Sequence, residues 1–358
     1  MDTRHFHKIV FDATRRLIPR DSAVVCAVSG GPDSMAMLHG LHRINHLRKT
    51  GWTLTVAHLD HHLPPNFSGE MATFVREQAA RLHLPFYAES IDVPALSKST
   101  GESIEEAGRK ARYAFFARAA ASFDAQRVAV AHQANDQAET VLHRILRGTS
   151  LRGLAGIPER RPLTPDGDVE IVRPLLSIRR EAILAYLARR KLPFLHDVTN
   201  DDVSVATRNF IRHDLMPLIE RRVNPAAAAA LRRIAAHARD ASDFLRATAQ
   251  KLFESALIQN DETGVVLRVA SVQGTPPAVL SEVIMLALQQ IGTPMKAIRS
   301  ERLAAVAHSL APAVEHRVIQ LSNGVIAERR GKHLMIRPGF APREAAVTVA
   351  GRAGDQAS

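Results

Sequence analysis

The first half of the chain alternates short apolar runs with longer segments whose apolar residues recur every three or four positions. The runs at 24–28 and 128–131 are apolar throughout, which is typical of strands covered on both faces. The longer segments have the spacing of amphipathic helices. The predicted strands are Val24–Val28, Leu54–His58, Pro85–Ile91, Arg127–Ala131 and Glu170–Arg173, and the predicted helices between them are Ser34–Leu47, Ser68–Leu82, Glu102–Ala121 and Asp136–Leu146.

This order of elements predicts an α/β fold built on a doubly wound, Rossmann-like parallel sheet, because right-handed crossovers place helices on both of its faces. Ligands of such sheets bind beyond the carboxyl ends of the strands, where the strand order reverses. We expect that reversal between the first and fourth strands. The loops that follow these two strands, 29–34 and 131–140, should therefore face one crevice.

The loop after the first strand reads Ser29-Gly30-Gly31-Pro32-Asp33-Ser34. Its glycines allow a tight turn and a close approach of the backbone to a ligand, and the helix that follows directs free N–H groups at the same point. Two serine hydroxyls add donors. The loop is not a Walker A sequence, since the ending Gly-Lys-Ser/Thr is missing. It predicts a phosphate site, and the alternative is an ordinary turn between a strand and a helix.

Acidic residues open the helix after the fourth strand. Asp136, Glu139, Thr140 and His143 share one helix face, while apolar residues occupy the other. Beside a phosphate site, these carboxylates can hold Mg²⁺, which prefers oxygen ligands, or the ammonium group of a cationic substrate. The alternative is structural, since Asp-x-x-Glu forms a capping box at the start of a helix. The neighbouring phosphate loop favours the functional interpretation.

Two other segments are expected near this crevice. The second strand ends in the sequence AHLDHH at 57–62, where we favour a nucleotide-pocket loop over a zinc site because adjacent histidines point apart. On the helix after the third strand, Glu105, Arg109 and Arg112 share a face. An arginine fork pairs well with phosphate, although Glu105 and Arg109 also have the spacing of a surface ion pair.

The second half of the chain has a different pattern. An alanine- and arginine-rich stretch at 226–253 predicts a long connecting helix. Helical patterns follow at 277–291 and 300–310, and strand patterns at 315–321, 324–329 and 333–337. We therefore predict a catalytic domain at 1–222, a helical connector at 223–258, a small α+β C-terminal domain at 259–345 and a disordered tail at 346–358.

The charge of the chain agrees with a polyanionic partner. Its 358 residues include 47 Lys and Arg against 36 Asp and Glu, a formal net charge of +11, and a positive field attracts nucleic acid. The single cysteine, Cys26, excludes a disulfide within the chain. No apolar run approaches the ~20 residues of a membrane-spanning helix. We expect a cytoplasmic protein without membrane contact.

The phosphate loop resembles the SGGxDS loop of the N-type ATP pyrophosphatases, which split ATP between its α- and β-phosphates. Further motifs follow it in order: AHLDHH at 57–62, EEAGRKARY at 105–113, AHQANDQAET at 131–140, LRGTSLRGLAG at 146–156, RPLL at 173–176, DVTND at 197–201 and RNFIR at 208–212. As an ordered set, these motifs resemble the bacterial tRNA(Ile)-lysidine synthetases, a family of PP-loop ATP pyrophosphatases.

The resemblance implies that ATP is used to join free L-lysine to C2 of the wobble cytidine in a tRNA(Ile) with a CAU anticodon, through an adenylated cytidine. The product, lysidine, would change decoding from AUG to AUA. ATP and Mg²⁺ are the implied cofactors. The residues expected at ATP are Ser29, Gly30, Gly31, Pro32, Asp33, Ser34, His58 and His132, those expected in catalysis are Asp33, Arg112, Asp136 and Glu139, and those expected at the metal are Asp33 and Asp136.

The expected tRNA contacts lie in two regions. By resemblance, Arg208 and Arg212 would face the tRNA or the adenylated cytidine. Arg329, Arg330 and Lys332 lie on a predicted basic hairpin of the C-terminal domain, which is either a tRNA-docking surface or an ordinary solvated face. A homodimer is left open.

The chain departs from the family's pattern at two positions. Asn135 stands where the family has a further aspartate, and Pro64 stands where an arginine commonly follows a leucine. Two alternatives remain. The first is another PP-loop enzyme that adenylates or amidates a small metabolite, which would need no basic C-terminal domain. The second is a non-catalytic tRNA-binding module, against which the intact phosphate loop argues.

Overall fold

The structure, a computed structural model, describes residues 3–61, 68–164, 167–195, 207–293, 300–321 and 324–339. The chain forms two compact units, Met1–Arg239 and Asp240–Ser358. The predicted tail at 346–358, the motif at 197–201 and Pro64 lie outside the described residues.

The first unit alternates helices and strands. Its elements are α1 (Thr3–Leu17), β1 (Ala23–Ala27), α2 (Pro32–Arg48), β2 (Thr53–Asp60), α3 (Ser68–Arg81), β3 (Phe86–Ser90), α4 (Val93–Thr100), α5 (Ile104–Ser122), β4 (Arg127–Ala129), α6 (Ala134–Leu146), α7 (Leu151–Leu154), β5 (Arg160–Pro162), β6 (Glu170–Val172), α8 (Arg180–Arg190), α9 (Thr207–Phe210), a π-helical turn (Ile211–Leu215), α10 (Met216–Arg222) and α11 (Ala227–Ala256), which continues into the second unit. The five predicted strands and the four predicted helices of this half are all confirmed.

The strands of the first unit form one six-stranded sheet in the order β3-β2-β1-β4-β6-β5. All neighbouring pairs are parallel except β5 and β6, which are antiparallel. Val25 in β1 lies opposite Thr55 in β2 and Val128 in β4. The strand order therefore reverses between the first and fourth strands, as predicted, and the loops after β1 and β4 leave the sheet side by side.

Alternate residues of β1 belong to different hydrophobic cores, because successive side chains of a strand point to opposite faces. Val24 and Cys26 pack in a core that includes side chains from α1, α2 and α8. Val25 packs in a second core with Phe115 and Phe116 of α5. The sheet is thus covered on both faces, which explains why its central strands are apolar throughout.

The second unit contains a five-stranded antiparallel sheet in the order β7-β8-β11-β10-β9. Its elements after α11 are β7 (Leu257–Asp261), β8 (Gly264–Arg268), α12 (Val269–Val272), α13 (Pro277–Gln290), α14 (Ser300–Ser309), β9 (His316–Gln320), β10 (Val325–Arg330) and β11 (His333–Pro338). Helices α13 and α14 share one core with the inward side chains of these strands. The predicted α+β character is confirmed, while β7 and β8 are two strands that the sequence patterns missed.

The basic hairpin of this unit is less exposed than expected. The Arg329 side chain is buried, and its Nη1 donates to the carbonyl oxygens of Ser309 at 2.7 Å and Ala311 at 2.6 Å. Arg330 is exposed, and its Nε donates to the buried Glu328 carboxylate at 2.6 Å. The expectation that Arg329 belongs to an outward basic surface is wrong, because this side chain donates to backbone carbonyls at the C-terminal end of α14 and just beyond it. Arg330 and Lys332 stay on the surface.

No helix among the described residues is long and apolar enough to cross a membrane.

One histidine of the first unit is placed where protonation opposes folding. His39 in α2 has a buried Nε2 atom without a hydrogen-bond partner among the described residues. Burial, aided by the nearby His42 and Arg190 charges, lowers the pKa of His39 to about 4. The unfolded chain, with a histidine pKa near ~6.5, binds this proton more readily. The resulting stability is complete above pH ~6.5 and is lost as the pH falls toward 4.

We expect the first unit to lose about 1–2 kcal/mol of unfolding free energy through His39 between pH 7 and pH 5. Urea unfolding followed through the fluorescence of Trp52, the single tryptophan of the chain, measures it. His39→Leu should reduce the pH dependence by that amount, while His5→Leu, at an exposed position, should leave it unchanged. Equal pH dependence in wild type and His39→Leu would contradict this assignment.

Candidate active site

The loop after β1 is held in an anion-accepting shape by its own groups. Gly30 has a φ of +96°, which favours glycine, and a Cβ atom there would lie 3.0 Å from Met71 Sδ. Ser34 Oγ donates to Gly31 O at 2.9 Å and accepts the Ser29 N–H at 3.2 Å. Helix α2 then starts at Pro32 without a side-chain cap. Its first N–H groups are therefore directed at whatever occupies the crevice.

Asp33 lies in the first turn of α2 with its two carboxylate oxygens in different situations. Oδ2 lies 3.3 Å from Arg180 Nη1, whereas Oδ1 is buried and has no hydrogen-bond partner among the described residues. Burial raises the pKa of Asp33 to about 6 against the opposing charge of Arg180, and the nearby Asp136 and Glu139 carboxylates raise it further. The structure thus brings three carboxylates together at the end of the sheet, and they repel one another.

Two arginines neutralise the acids of α6. Asp136 and Glu139 are 7% and 4% exposed. Arg212 reaches both, with Nη2 2.7 Å from Asp136 Oδ1 and Nε 2.9 Å from Glu139 Oε1. Arg208 Nη2 lies 3.0 Å from the same Asp136 oxygen. Burial opposes the charge of Arg212, but its bonds to Glu139 and the nearby carboxylates raise its pKa overall.

The position of Arg212 depends on an irregular helical turn. Arg212 lies in the π-helical turn at Ile211–Leu215, an element that is rare and often found at functional sites. Ile211 and Met216, at either end of this turn, pack with Ala138 of α6 in a small separate core. This apolar contact holds the turn against the helix face that carries Asp136 and Glu139.

The start of α6 differs from the expected capping box. Gln133 is the N-cap, and the Asp136 carboxylate accepts the Gln133 N–H at 2.8 Å while the Gln133 side chain accepts the Asn135 N–H. Asp136 is therefore the third residue of the helix rather than its cap. Glu139 takes no part in capping, so the alternative explanation for Glu139 is wrong. Its described partners are the two arginines.

A cavity of about 630 Å³ opens between the loops after β1 and β4 and the helical segments that follow residue 206. Six of the residues predicted at ATP line it: Ser29, Gly31, Pro32, Asp33, Ser34 and His132. The lining also includes the acids Asp136 and Glu139 and the arginines Arg180, Arg208 and Arg212. The two loops singled out by sequence therefore meet at one site, with a volume in the usual range for small-molecule pockets.

His132 is held as a neutral imidazole. Arg173 Nε donates to His132 Nδ1 at 3.3 Å, so the ring proton of the neutral form lies on Nε2. Burial lowers the pKa of His132 to about 4, and the charges of Arg173, Arg208 and Arg112 act in the same direction against that of Asp136. His132 is thus a neutral residue of the cavity lining near neutral pH, with an N–H donor at Nε2.

Several predicted residues lie outside the lining of the cavity. His58 is buried, and its Nδ1 donates to Val28 O at 2.8 Å, which ties the end of β2 to the end of β1. Gly30 does not line the cavity either, but its positive φ allows the turn of the loop. Arg112 does not line the cavity but lies close enough to Arg208 for the two charges to interact.

Sequence reasoning missed two arginines of the site. Arg173 belongs to the RPLL motif, so its place in an ordered motif was a usable signal. Arg180 is the first residue of α8, a helix that was not predicted. Nothing in the local pattern of Arg180 distinguishes it from other surface arginines near helix ends.

The donor set fits a magnesium ion that is shared with phosphate. Mg²⁺ usually takes one or two protein carboxylates and completes its shell with water and substrate phosphates. The buried Asp33 Oδ1, which has no hydrogen-bond partner among the described residues, would suit such a role beside the anion-accepting loop. Among the described residues, no group of three or more His, Cys, Asp or Glu side chains is arranged to hold a metal by protein alone.

The family follows from a comparison with known domains. The family profile described as "PP-loop domain" matches residues 3–219, which is more than half of the chain. The chain therefore belongs to the PP-loop family.

Similar proteins show which members of the PP-loop family the chain resembles. The chain is 39% identical over 266 residues to a "tRNA(Ile)-lysidine synthase" of Geobacter sulfurreducens, covering 74% of this chain and 54% of that protein. It is 36% identical to the Thermus thermophilus protein of the same name, covering 90% and 58%, and 35% identical to that of Chlorobaculum tepidum, covering 67% and 70%. The chain spans little more than half the length of the first two. The resemblance to tRNA(Ile)-lysidine synthetases is confirmed.

A solved structure agrees on the fold alone. The "U34-tRNA thiolase NcsA" of Methanococcus maripaludis superimposes with a TM-score of 0.52 at 16% identity, covering 65% of this chain and 78% of that one. This likeness supports the PP-loop architecture of the first unit.

The acid–arginine network predicts a measurable coupling. We expect Asp136→Asn and Arg212→Gln each to destabilise the first unit, because each leaves buried charge without its partner. A double-mutant cycle should give a coupling of about 1–3 kcal/mol, measured by urea unfolding through Trp52 fluorescence. Arg144→Gln serves as the control partner, because Arg144 donates to the carbonyl oxygens of Gly153 and Gly156 instead. Additive effects of Asp136→Asn and Arg212→Gln would show that the pair is not coupled.

Proposed function

We propose that this chain catalyses the ATP-dependent joining of L-lysine to C2 of the wobble cytidine in a CAU-anticodon tRNA(Ile). The observation that carries the proposal is the shared cavity, in which an anion-accepting loop faces a pair of buried carboxylates. One half of such a site suits the phosphates of ATP, and the other suits the ammonium group of lysine. The names of the relatives support the same activity.

The proposed reaction has two steps. The C2 oxygen of the cytidine attacks the α-phosphorus of ATP, an O–P bond forms, and pyrophosphate leaves with the electrons of the broken P–O bond. A lysine amine then attacks C2, and AMP leaves with the C2 oxygen. The amine must lose a proton to become nucleophilic, since its reference pKa is ~10.4.

In this proposal, the charge of each residue determines which part of the substrates it binds. The loop N–H groups and His132 donate to phosphate oxygens, while Asp136 and Glu139 accept the ammonium group of lysine. Mg²⁺, held by Asp33, would offset charge on the phosphates. Arg208 and Arg212 occupy the two acids in the ligand-free chain. In this proposal lysine displaces at least one of these arginines, and the displaced arginine then faces the adenylated cytidine.

The test is direct detection of the product. We expect unmodified CAU-anticodon tRNA(Ile), incubated with the chain, Mg²⁺, ATP and lysine, to yield lysine-modified cytidine by mass spectrometry of its nucleosides. Asp33→Asn should reduce product formation and pyrophosphate release by about 100-fold or more, since one key electrostatic group is lost. The same tRNA with guanosine at the wobble position is the control. Normal pyrophosphate release by folded Asp33→Asn would remove Asp33 from the mechanism.

The second unit supports tRNA binding through its exposed cations. Replacing Arg330 and Lys332 together with Gln should weaken tRNA binding and lower the slope of log affinity against log salt by about 1.4–1.8, at ~0.7–0.9 per lost phosphate contact. Arg81→Gln with Lys98→Gln is the matched control, because it removes the same charge from exposed positions of the first unit. Fluorescence anisotropy across a salt series measures both. Identical slopes in the two double variants would exclude a specific role for the hairpin.

The alternatives stay distinguishable. Pyrophosphate release without tRNA would favour a PP-loop enzyme for a small metabolite, and the absence of ATP turnover would favour a tRNA-binding module. A homodimer and a cytoplasmic location remain predictions.

A further inference from the structure

Arg180 holds a position in the cavity that the proposed reaction has not used. Its Nη1 lies 3.3 Å from Asp33 Oδ2. Its backbone N–H donates to Asn135 Oδ1 at 3.4 Å, which links the first turn of α8 to the first turn of α6. The side chain is 38% exposed and lines the cavity beside the loop at 29–34. Arg180 is therefore a cation whose backbone is hydrogen-bonded to α6 and whose partly exposed guanidinium group lies in the cavity.

The arginines that line the cavity are not equivalent. Arg208 and Arg212 each contact both acids of α6. Among the described residues, Arg180 forms an ion pair with one carboxylate only, through a single nitrogen at the long end of hydrogen-bond distance. Asp33 in turn keeps one oxygen without a partner. Of these ion pairs, the one between Asp33 and Arg180 is thus the one that a ligand can break with the smallest loss of interaction free energy.

We propose that Arg180 is an ATP-binding residue that leaves Asp33 and pairs with the β- and γ-phosphates when Mg²⁺ and ATP bind. A divalent cation held by Asp33 would repel the guanidinium group, and phosphates beside the loop would attract it. The planar guanidinium fork suits two phosphate oxygens at once, which an ammonium group cannot match. The inference rests on the proposed function only in assuming that the cavity binds ATP.

The experiment compares nucleotides that differ in the phosphates concerned. Isothermal titration calorimetry with Mg²⁺ present gives the affinities for ATP, pyrophosphate and AMP without tRNA. We expect Arg180→Met to weaken ATP and pyrophosphate binding by about 10- to 100-fold and AMP binding by less than about 2-fold. Arg180→Lys should recover part of the loss, since it restores charge but not the fork. Arg179→Met is the control, because its exposed side chain belongs to the neighbouring position and lies outside this cavity.

The results of this experiment test the role of Arg180 separately from the proposed function. Unchanged ATP and pyrophosphate binding in Arg180→Met would overturn the inference, as would an equal loss for ATP and AMP, which indicates a general disturbance of the site. If Arg180→Met fails to fold, Arg180→Lys carries the test: the inference requires weaker ATP and pyrophosphate binding with unchanged AMP binding. Wild-type chain that binds ATP normally but forms no lysine-modified cytidine would refute the proposed function and leave the role of Arg180 standing.

Discussion

The architecture of the first unit depends on the electrostatic cost of placing Asp33, Asp136 and Glu139 at one end of a parallel sheet. Like charges in a partly buried site destabilise the fold unless cations offset them. Here the cations come from later in the chain: Arg180 at the start of α8, and Arg208 and Arg212 around the π-helical turn. Folding of these later segments onto the sheet is therefore linked to the neutralisation of the site. In the proposed function, the substrates would compete with the same ion pairs that stabilise the ligand-free chain.

Because of this linkage, the charges of the ligand-free site are already arranged to match those of its proposed ligands. In the proposed reaction, ATP would supply negative charge and lysine positive charge. The ligand-free site already holds groups of the same charges, since Arg208 and Arg212 pair with the two acids of α6 and Asp33 pairs with Arg180. In this proposal, binding would replace one ion pair by another, which lowers the cost of leaving a buried charge unpaired. A buried charge left without a partner in the same cavity would cost more free energy than either ion pair.

Much of this arrangement could be predicted because it is local in sequence. The apolar runs of β1 and β4 identify strands covered on both faces, and the rule for strand order then places the loops 29–34 and 131–140 together. Asp136 and Glu139 share a helix face by simple periodicity. What could not be predicted depends on side-chain contacts across the fold. Arg212 pairs with both acids from a π-helical turn, and the buried Arg329 donates to carbonyls at the C-terminal end of α14. Neither feature has a periodic signature in the sequence.

The interior position of Cys26 has a practical consequence for studying these exchanges. It is the single cysteine of the chain, it is fully buried in the centre of the sheet, and burial raises its pKa to about 12. A thiol in that state reacts slowly with alkylating reagents, because the thiolate is the reactive form. The native chain should therefore react little with cysteine-directed probes. A cysteine introduced at an exposed position near the cavity could carry a fluorophore or spin label without any prior removal of native thiols.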